Sequence, residues 1–238
     1  MRERARYDAA AEFYVDVFSD ESDSVTSALL ELLGALDGKR VLDLACGHGR
    51  VTRELARRGA HVVGVDISPV LLDTAHEIER ADPLGITYLQ EDASRAYALT
   101  GELFDIVSCN YGLSDIDDLD GALATVSRVL DGRGVFVFSI VHPCFPGWGT
   151  EFLSSWQPGG GGYFDEGWWI IPDRPGYLRS IVGANHRTLS TYMNALTKHG
   201  LSVEALDEPR EAAWAKRAPG AEEVPIYLVV RCRKTRVS

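Results

Sequence analysis

The residues best suited to chemistry form a glycine-rich turn near position 47. An apolar run, Val41 to Leu44, leads directly into Gly47 and Gly49, and a helical pattern begins at the second glycine. Glycines here let the backbone approach a ligand where a Cβ would collide with it. The N–H groups of the following helix favour an anionic group, either a carboxylate or a phosphate. Asp43, on the strand before the turn, is placed to accept from a ligand ammonium or to orient the loop.

A second carboxylate, Asp66, follows Gly47 by nineteen residues, at the end of the apolar run 61–65. An acid that closes the second strand of such a unit can accept both hydroxyls of a ribose. Together, the glycine turn and this acid indicate an adenosine-type ligand. A dinucleotide site would instead have a third glycine, where Thr52 stands, and a glycine in place of Ala45.

These residues must be positioned by elements that alternate along the chain. Strands are predicted over 40–45, 61–66, 87–90, 104–110 and 134–141, and helices over 49–58, 69–80 and 119–130. The strand runs are nearly continuous in apolar character, which is typical of parallel strands covered on both faces. The alternation predicts a doubly wound α/β sheet.

The C-terminal part returns to regular patterns. Residues 188–199 predict a helix that stops at Gly200. Two further strands are predicted over 201–206 and 225–231, as an antiparallel hairpin that brings the sheet to seven strands.

The stretch between them, 143–187, interrupts the alternation. It contains five prolines and the run Gly159 to Gly162, and nine aromatic residues lie between Phe145 and Tyr177. Aromatic side chains usually fill cores, so this stretch could pack a cap onto the sheet. A lid that supplies apolar walls to a substrate pocket accounts for both the aromatics and the glycines, and its closure would expel water. We expect an aromatic-rich lid insertion here.

The set of motifs resembles that of the class I S-adenosylmethionine-dependent methyltransferases. The resemblance rests on VLDLACGHG (41–49), VVGVDIS (62–68), the step Glu91-Asp92-Ala93, FDIVSCNYGLSDIDD (104–118) and RVLDGRGVFVFSI (128–140). It covers roughly residues 10–142. In addition, SIVHPCF (139–145) and HRTLSTYMNALTKHGL (186–201) resemble a subgroup of bacterial small-molecule methyltransferases.

The resemblance implies a Rossmann-like, mostly parallel seven-stranded sheet and S-adenosyl-L-methionine as cofactor. It implies methyl transfer to an O, N or C nucleophile of a small, partly aromatic or apolar molecule, in bacterial secondary metabolism. By the family's pattern, the glycine loop holds the methionyl part, Asp66 binds the ribose and Asp92 meets the adenine amino group, although Asp92 also fits a helix cap. The candidate cofactor-binding residues are Tyr14, Asp43, Ala45, Gly47, Gly49, Asp66, Ile67, Asp92, Ala93 and Asn110.

Three histidines are candidates for the chemistry. His142 directly follows the fifth predicted strand, where an imidazole could take a proton from the nucleophile near neutral pH or could order the loop beside Pro143. His186 is the second choice as base, and it also fits the N-terminal cap of the helix 188–199. His48, in the glycine loop, either touches the cofactor or faces solvent. The candidate substrate-binding residues are Tyr111, His142, Trp148, Trp156, Tyr163, Trp168 and His186.

The N-terminal residues 1–36 predict a helical cap. Tyr7 and Tyr14 lie on an amphipathic pattern. They could close over the methionyl end of the cofactor or pack into the core. Asn110 and Tyr111, after the fourth strand, fit either a structural loop or a contact at the cofactor's edge.

Composition restricts the partners. The chain has 24 Lys and Arg against 35 Asp and Glu, a formal charge of −11, which repels phosphate backbones. Basic clusters at 2–6, 53–58 and 231–236 are interpreted as solvated surface. The four cysteines form no C-x-x-C pair, no ligand-spaced cluster indicates a metal, and no run reaches the ~18 to 20 apolar residues of a membrane span.

We therefore expect one cytoplasmic domain over 1–238, a monomer or homodimer, that acts on a small molecule without nucleic-acid or membrane partners. Three alternatives stay open: a peptide or tRNA methyltransferase, a nucleotide-binding oxidoreductase, and a cofactor-binding protein without catalysis.

Overall fold

The helices and strands follow the predicted alternation. The computed structural model describes residues 5–17, 23–145, 162–170, 178–210 and 224–235. The helices are α1 (Ala11–Val17), α2 (Ser24–Leu33), α3 (Arg50–Arg57), α4 (Pro69–Ala81), α5 (Leu119–Val129) and α6 (Leu189–Lys198). The strands are β1 (Arg40–Leu44), β2 (His61–Asp66), β3 (Thr87–Gln90), β4 (Phe104–Cys109), β5 (Leu130–Val141), β6 (Gly167–Trp169), β7 (Ala184–His186), β8 (Leu201–Asp207) and β9 (Tyr227–Lys234).

Seven strands form one sheet in the order β3-β2-β1-β4-β5-β9-β8. Strands β1 to β5 pair in parallel, whereas β9 runs antiparallel to both β5 and β8. The predicted Rossmann-like sheet and its antiparallel C-terminal pair are confirmed. The strand order reverses between β1 and β4, which is where such sheets open a ligand crevice at their carboxyl edge.

Alternate residues of the strands enter cores on the two faces of the sheet. Phe136 and Phe138 of β5 belong to the core that contains Leu123 of α5, and Val137 between them belongs to the core that contains Leu29 of α2. Burial of each such side chain contributes about 1.5–3 kcal/mol. Covering both faces explains why the strand runs are almost wholly apolar.

Polar side chains cap the helices around the crevice. Asp23 accepts from the Thr26 N–H at 2.6 Å at the start of α2, and Ser68 accepts from Leu71 at 3.2 Å at the start of α4. Thr188 caps α6, since its Oγ1 accepts from the Thr191 N–H at 3.2 Å. The interpretation of His186 as that cap is therefore wrong, because His186 lies two residues earlier, at the end of β7.

The interpretation of the 53–58 cluster as solvated surface is wrong for Arg53. Its side chain is buried and donates to Glu79 at 2.7 Å and to the Asp82 carboxylate at 2.6 Å. It joins α3 to α4 and so steadies the helix that follows the glycine turn. In the last cluster, β9 runs past its predicted end at 231, and Arg231 donates to Glu204 of β8 at 3.0 Å.

The segment 143–187 contains a small sheet that the sequence did not predict. Strands β6 and β7 pair antiparallel, with Trp169 buried and Trp168 47% exposed. Trp148 and Trp156 lie outside the described residues, so the lid stays a prediction. Among the helices described, none is long and apolar enough to cross a membrane.

Candidate active site

The glycine turn connects β1 to α3 at the carboxyl edge of the sheet. Gly47 and Gly49 have φ values of +56° and +85°, and a Cβ on Gly49 would overlap the hydroxyl of Tyr88. Ala45 also has a positive φ, 58°. The turn thus has left-handed backbone at three positions, and two of them carry glycine. The close approach of a ligand to this backbone stays a prediction.

Asp66 joins this turn to the end of β2. Its carboxylate accepts from the Gly47 N–H at 2.8 Å and from the Ser68 N–H at 2.8 Å. The pKa of Asp66 is raised because burial disfavours its charge, although these N–H groups oppose the rise. A carboxylate has about four acceptor sites, so it keeps acceptor capacity for ribose hydroxyls. Its neighbour Ile67 is 48% exposed.

Asp43 lies beneath the turn and contacts protein groups. Its two oxygens accept from the hydroxyls of Thr52 at 2.6 Å and Ser108 at 2.7 Å, and it is 1% exposed. Burial raises its pKa to about 6, against the opposing effect of those hydroxyls. Of the two predicted roles, this geometry fits loop orientation. Thr52, which replaces the third glycine of a dinucleotide site, supplies one of the two hydroxyl groups.

The other predicted cofactor residues lie along the same edge. Asp92 accepts from the Ser94 N–H at 2.8 Å and thereby caps the turn after β3, while Ala93 is buried. Asn110 accepts from the Ser139 hydroxyl at 2.6 Å, and Tyr111 donates its hydroxyl to Asp23 at 3.2 Å. These contacts fit the structural alternatives for Asp92 and Tyr111. Their roles toward a ligand stay predictions.

The N-terminal segment covers the glycine turn. A Cβ on Gly47 would lie 3.4 Å from the Tyr14 ring, which meets the rings of Tyr7 and His48 edge-on at 5.3 and 5.4 Å. The hydroxyl of Tyr7 donates to Asp115 at 2.8 Å. Burial raises the pKa of both tyrosines, which therefore stay neutral phenols. Tyr14 thus lies at the methionyl end of the predicted site.

His48 does not face solvent, because it is only 6% exposed. Its Nδ1 has no hydrogen-bond partner within the part of the chain that the structure describes. Burial, and secondarily the charge of Arg50, lowers its pKa to about 4, so the ring is neutral near pH 7. A buried ring nitrogen beside the glycine backbone is a group that a ligand could satisfy.

His142 lies directly after β5 and is 5% exposed. Its Nδ1 accepts from the Cys144 N–H at 3.1 Å, which places the proton of the neutral ring on Nε2, 3.0 Å from Glu208 Oε1. Burial lowers its pKa, against the opposing effect of Glu208. Both ring nitrogens are engaged, so this geometry fits the predicted loop-ordering role better than that of a general base.

His142 and His186 come together around a small cavity that Trp169 also lines. His186 Nε2 lies 2.8 Å from the Tyr163 carbonyl, and burial lowers its pKa. The Tyr163 hydroxyl accepts from the Leu189 N–H at 2.8 Å. The structure therefore brings three predicted substrate residues, His142, Tyr163 and His186, close together.

Trp168 packs on the N-terminal segment. The guanidinium of Arg6 lies 5.5 Å above its ring, within the range of a cation–π contact. Its indole N–H points to the carbonyl of Val182 at 3.4 Å.

The sequence did not predict the contacts that two arginines, Arg179 and Arg187, make with distant parts of the chain. Buried Arg179 pairs with Asp115 and donates to the Gly183 carbonyl at 2.9 Å. Arg187 donates to the carbonyls of Leu113 and Ile116 at 2.8 and 2.6 Å. The acidic run 115–118 was the only sequence signal for these contacts, and it did not indicate which distant arginines would be its partners.

A family model and solved structures of known proteins are similar to this chain. A family model described as "Methyltransferase domain" matches residues 42–138, from β1 to β5. A solved S-adenosylmethionine-dependent methyltransferase of Mesorhizobium loti is 28% identical, with a TM-score of 0.70 over 89% of this chain and 98% of that one. This match and the shared fold identify residues 42–138 as a methyltransferase domain of the S-adenosylmethionine-dependent class. Within the described residues, no cluster of His, Cys, Asp or Glu could hold a metal ion.

Two further proteins are similar to this chain, one in sequence and one in fold. The ubiquinone biosynthesis O-methyltransferase of Hahella chejuensis is 33% identical over 108 residues, 45% of each chain. The chain spans about half the length of the curated relatives it matches. A 1,6-didemethyltoxoflavin-N1-methyltransferase of Burkholderia thailandensis, 19% identical over 97% of this chain and 87% of that one, shares the fold with a TM-score of 0.64.

The residues around the turn fit S-adenosylmethionine. The turn has no Cβ at Gly47, and His48 Nδ1 is buried beside it without a partner among the described residues. Asp66 lies at the end of β2, where a ribose would be held.

Proposed function

We propose that this methyltransferase transfers the methyl group of S-adenosylmethionine to a nucleophile of a small, partly aromatic molecule. One observation carries the cofactor half of the proposal. The glycine turn, its bond to Asp66 and the covering ring of Tyr14 meet where the strand order reverses.

The acceptor half rests on the side chains next to that crevice. Tyr7 and Tyr14 form one edge-on pair, and Tyr111 and Tyr227 form another with ring centroids 5.2 Å apart. Such rings offer apolar walls with a few polar atoms, as small-molecule sites do. The relatives named as O-methyltransferases support oxygen as the acceptor atom, and the charge of −11 disfavours tRNA as substrate.

The contribution of the chain is to position the acceptor and to exclude water. When bound, S-adenosylmethionine supplies a methyl group on a good leaving group, so a nucleophile held about 3 Å away gains most from correct placement. Tyr14 and Tyr7 are neutral and buried, and they can shield the site from solvent. His142 orders the turn after β5 through Cys144.

The hydrogen bond from the Cys144 N–H to His142 can be tested with two variants. His142→Asn can still accept from the Cys144 N–H and should keep turnover within about threefold, while His142→Ala should lose about tenfold, the effect of one hydrogen bond of roughly 1.4 kcal/mol. The titration of His142 should not make the turnover of the wild type rise between pH 7.5 and 9, because its lowered pKa favours the neutral ring there. An activity that rises through pH 7 and vanishes in both variants would identify a general base instead.

The proposed function is tested by calorimetry followed by a transfer assay. The protein should bind S-adenosylmethionine and S-adenosylhomocysteine but not NAD, and methyl label should pass to a member of a panel of phenols, amines and carbon acids. Binding of NAD alone would replace the proposal with an oxidoreductase. Label that passes only to peptides or tRNA would contradict the small-molecule acceptor.

A further inference from the structure

The polar atom left without a partner in the glycine turn points to how the cofactor's tail is recognised. His48 lies between the two glycines of the turn, 94% of its surface is removed from solvent, and its Nδ1 has no partner among the described residues. A buried polar atom in this state costs about 1–3 kcal/mol. A ligand that supplies the missing partner would remove that cost.

The surroundings of His48 favour an anion as that partner. It is followed by Gly49, which caps α3 without a side-chain hydrogen bond in the described structure, so the positive end of the helix lies at the turn. Arg50 is close enough for its charge to help lower the pKa of His48. The helix terminus and the guanidinium therefore place positive potential at this ring.

We propose that the Nδ1–H group of neutral His48 donates a hydrogen bond to the carboxylate of the cofactor's amino-acid tail. This inference rests on the proposed function. It gives the residue between the glycines a side-chain role in choosing ligands that have a carboxylate. A base at this position would need a pKa near the working pH, whereas that of His48 is lowered to about 4, which fits a neutral donor.

The experiment compares two ligands that differ in one group. Calorimetry measures the affinity for S-adenosylhomocysteine and for its decarboxylated analogue, in the wild type, His48→Ala, His48→Asn and His61→Ala. Asparagine can place a donor near the Nδ1 position. His61, exposed at the start of β2, is the matched control.

His48→Ala should weaken S-adenosylhomocysteine binding by about tenfold, as expected for one lost bond to a charged group, and change analogue binding less than about twofold. His48→Asn and His61→Ala should stay within about threefold of the wild type for both ligands. In the complex, long-range ¹H–¹⁵N spectra should show His48 protonated on Nδ1.

Two outcomes would overturn the inference and are distinguishable. Equal weakening of both ligands in His48→Ala, with its folded state verified by thermal melting, would assign His48 to packing of the loop and leave the proposed function intact. Binding of neither ligand to the wild type would remove the proposed function, and this inference with it.

Discussion

The turn after β1 and the turn after β4 lie at the same edge of the sheet, but different interactions hold them. The first is closed by nearby groups: the Cys46 N–H donates to Val65 at 3.0 Å, and the Gly47 N–H to Asp66, nineteen residues away. The second is held by side chains from far along the sequence, since Tyr7 and Arg179 reach Asp115 across 108 and 64 residues.

In the proposed site, the turn after β1 (residues 45–49) is the cofactor half, and the turn after β4 (residues 110–118) is the acceptor half. Backbone groups and glycines build the cofactor half. Side chains from distant parts of the sequence build the acceptor half, among them the buried ion pair of Arg179 with Asp115. The following changes test this contrast.

The largest effect on stability should come from the acceptor half. Asp115→Asn leaves Arg179 buried without its counter-charge and should lower the free energy of unfolding by about 3 kcal/mol, measured with urea. Asp120→Asn, which removes an exposed pair with Lys198, should cost less than about 1 kcal/mol. Equal losses of unfolding free energy in the two variants would show that the buried Asp115 pair stabilises the fold no more than an exposed pair does.

Gly49→Ala should lower the free energy of unfolding by about 2–3 kcal/mol. The new methyl group meets Tyr88 and must adopt a φ of +85°. S-adenosylhomocysteine affinity should fall with stability. Gly132→Ala is the matched control, because open space surrounds that position. Unchanged stability and affinity in Gly49→Ala would mean that the turn does not need glycine.

Asp43 should make the cofactor half sensitive to pH. Its pKa is raised from 3.8 to about 6, so the folded state binds the proton more tightly than the unfolded chain. Its contribution to stability should therefore fall by about 2 kcal/mol as pH rises from 4 to 6. Subtracting the unfolding free energies of Asp43→Asn from those of the wild type isolates this slope. A flat difference would contradict the buried, hydroxyl-bonded carboxylate.

The smallest effect should come from Ala45. Its φ of 58° costs an L-residue about 1–2 kcal/mol, and glycine removes that strain at some cost in chain entropy. Ala45→Gly should raise the free energy of unfolding by about 0.5–1 kcal/mol, seen as a higher midpoint in urea. A lower midpoint would mean that the methyl group, packed against Gly112, contributes more by contact than it costs in strain.

The same contrast explains what the sequence could predict. The seven strands of the main sheet, the glycine turn and Asp66 follow from patterns within a few dozen residues, and the structure places them as expected, whereas β6 and β7 were not predicted. The burial of Arg53 and Arg179 could not be predicted from such patterns. A charged residue is expected to face solvent unless its distant partner is known. His142 was placed correctly after β5, but its bonds to Cys144 and Glu208 depend on a local turn and a residue 66 positions away.

A crystal structure with S-adenosylhomocysteine tests the central claim most directly. The account predicts the amino-acid tail against Gly47 and Gly49 with its carboxylate at His48 Nδ1, the ribose hydroxyls on Asp66, and the sulfur facing the side of Tyr7 and His142. A crevice without adenosine, or one in which Tyr14 stays packed on Gly47 while the ligand binds elsewhere, would contradict it.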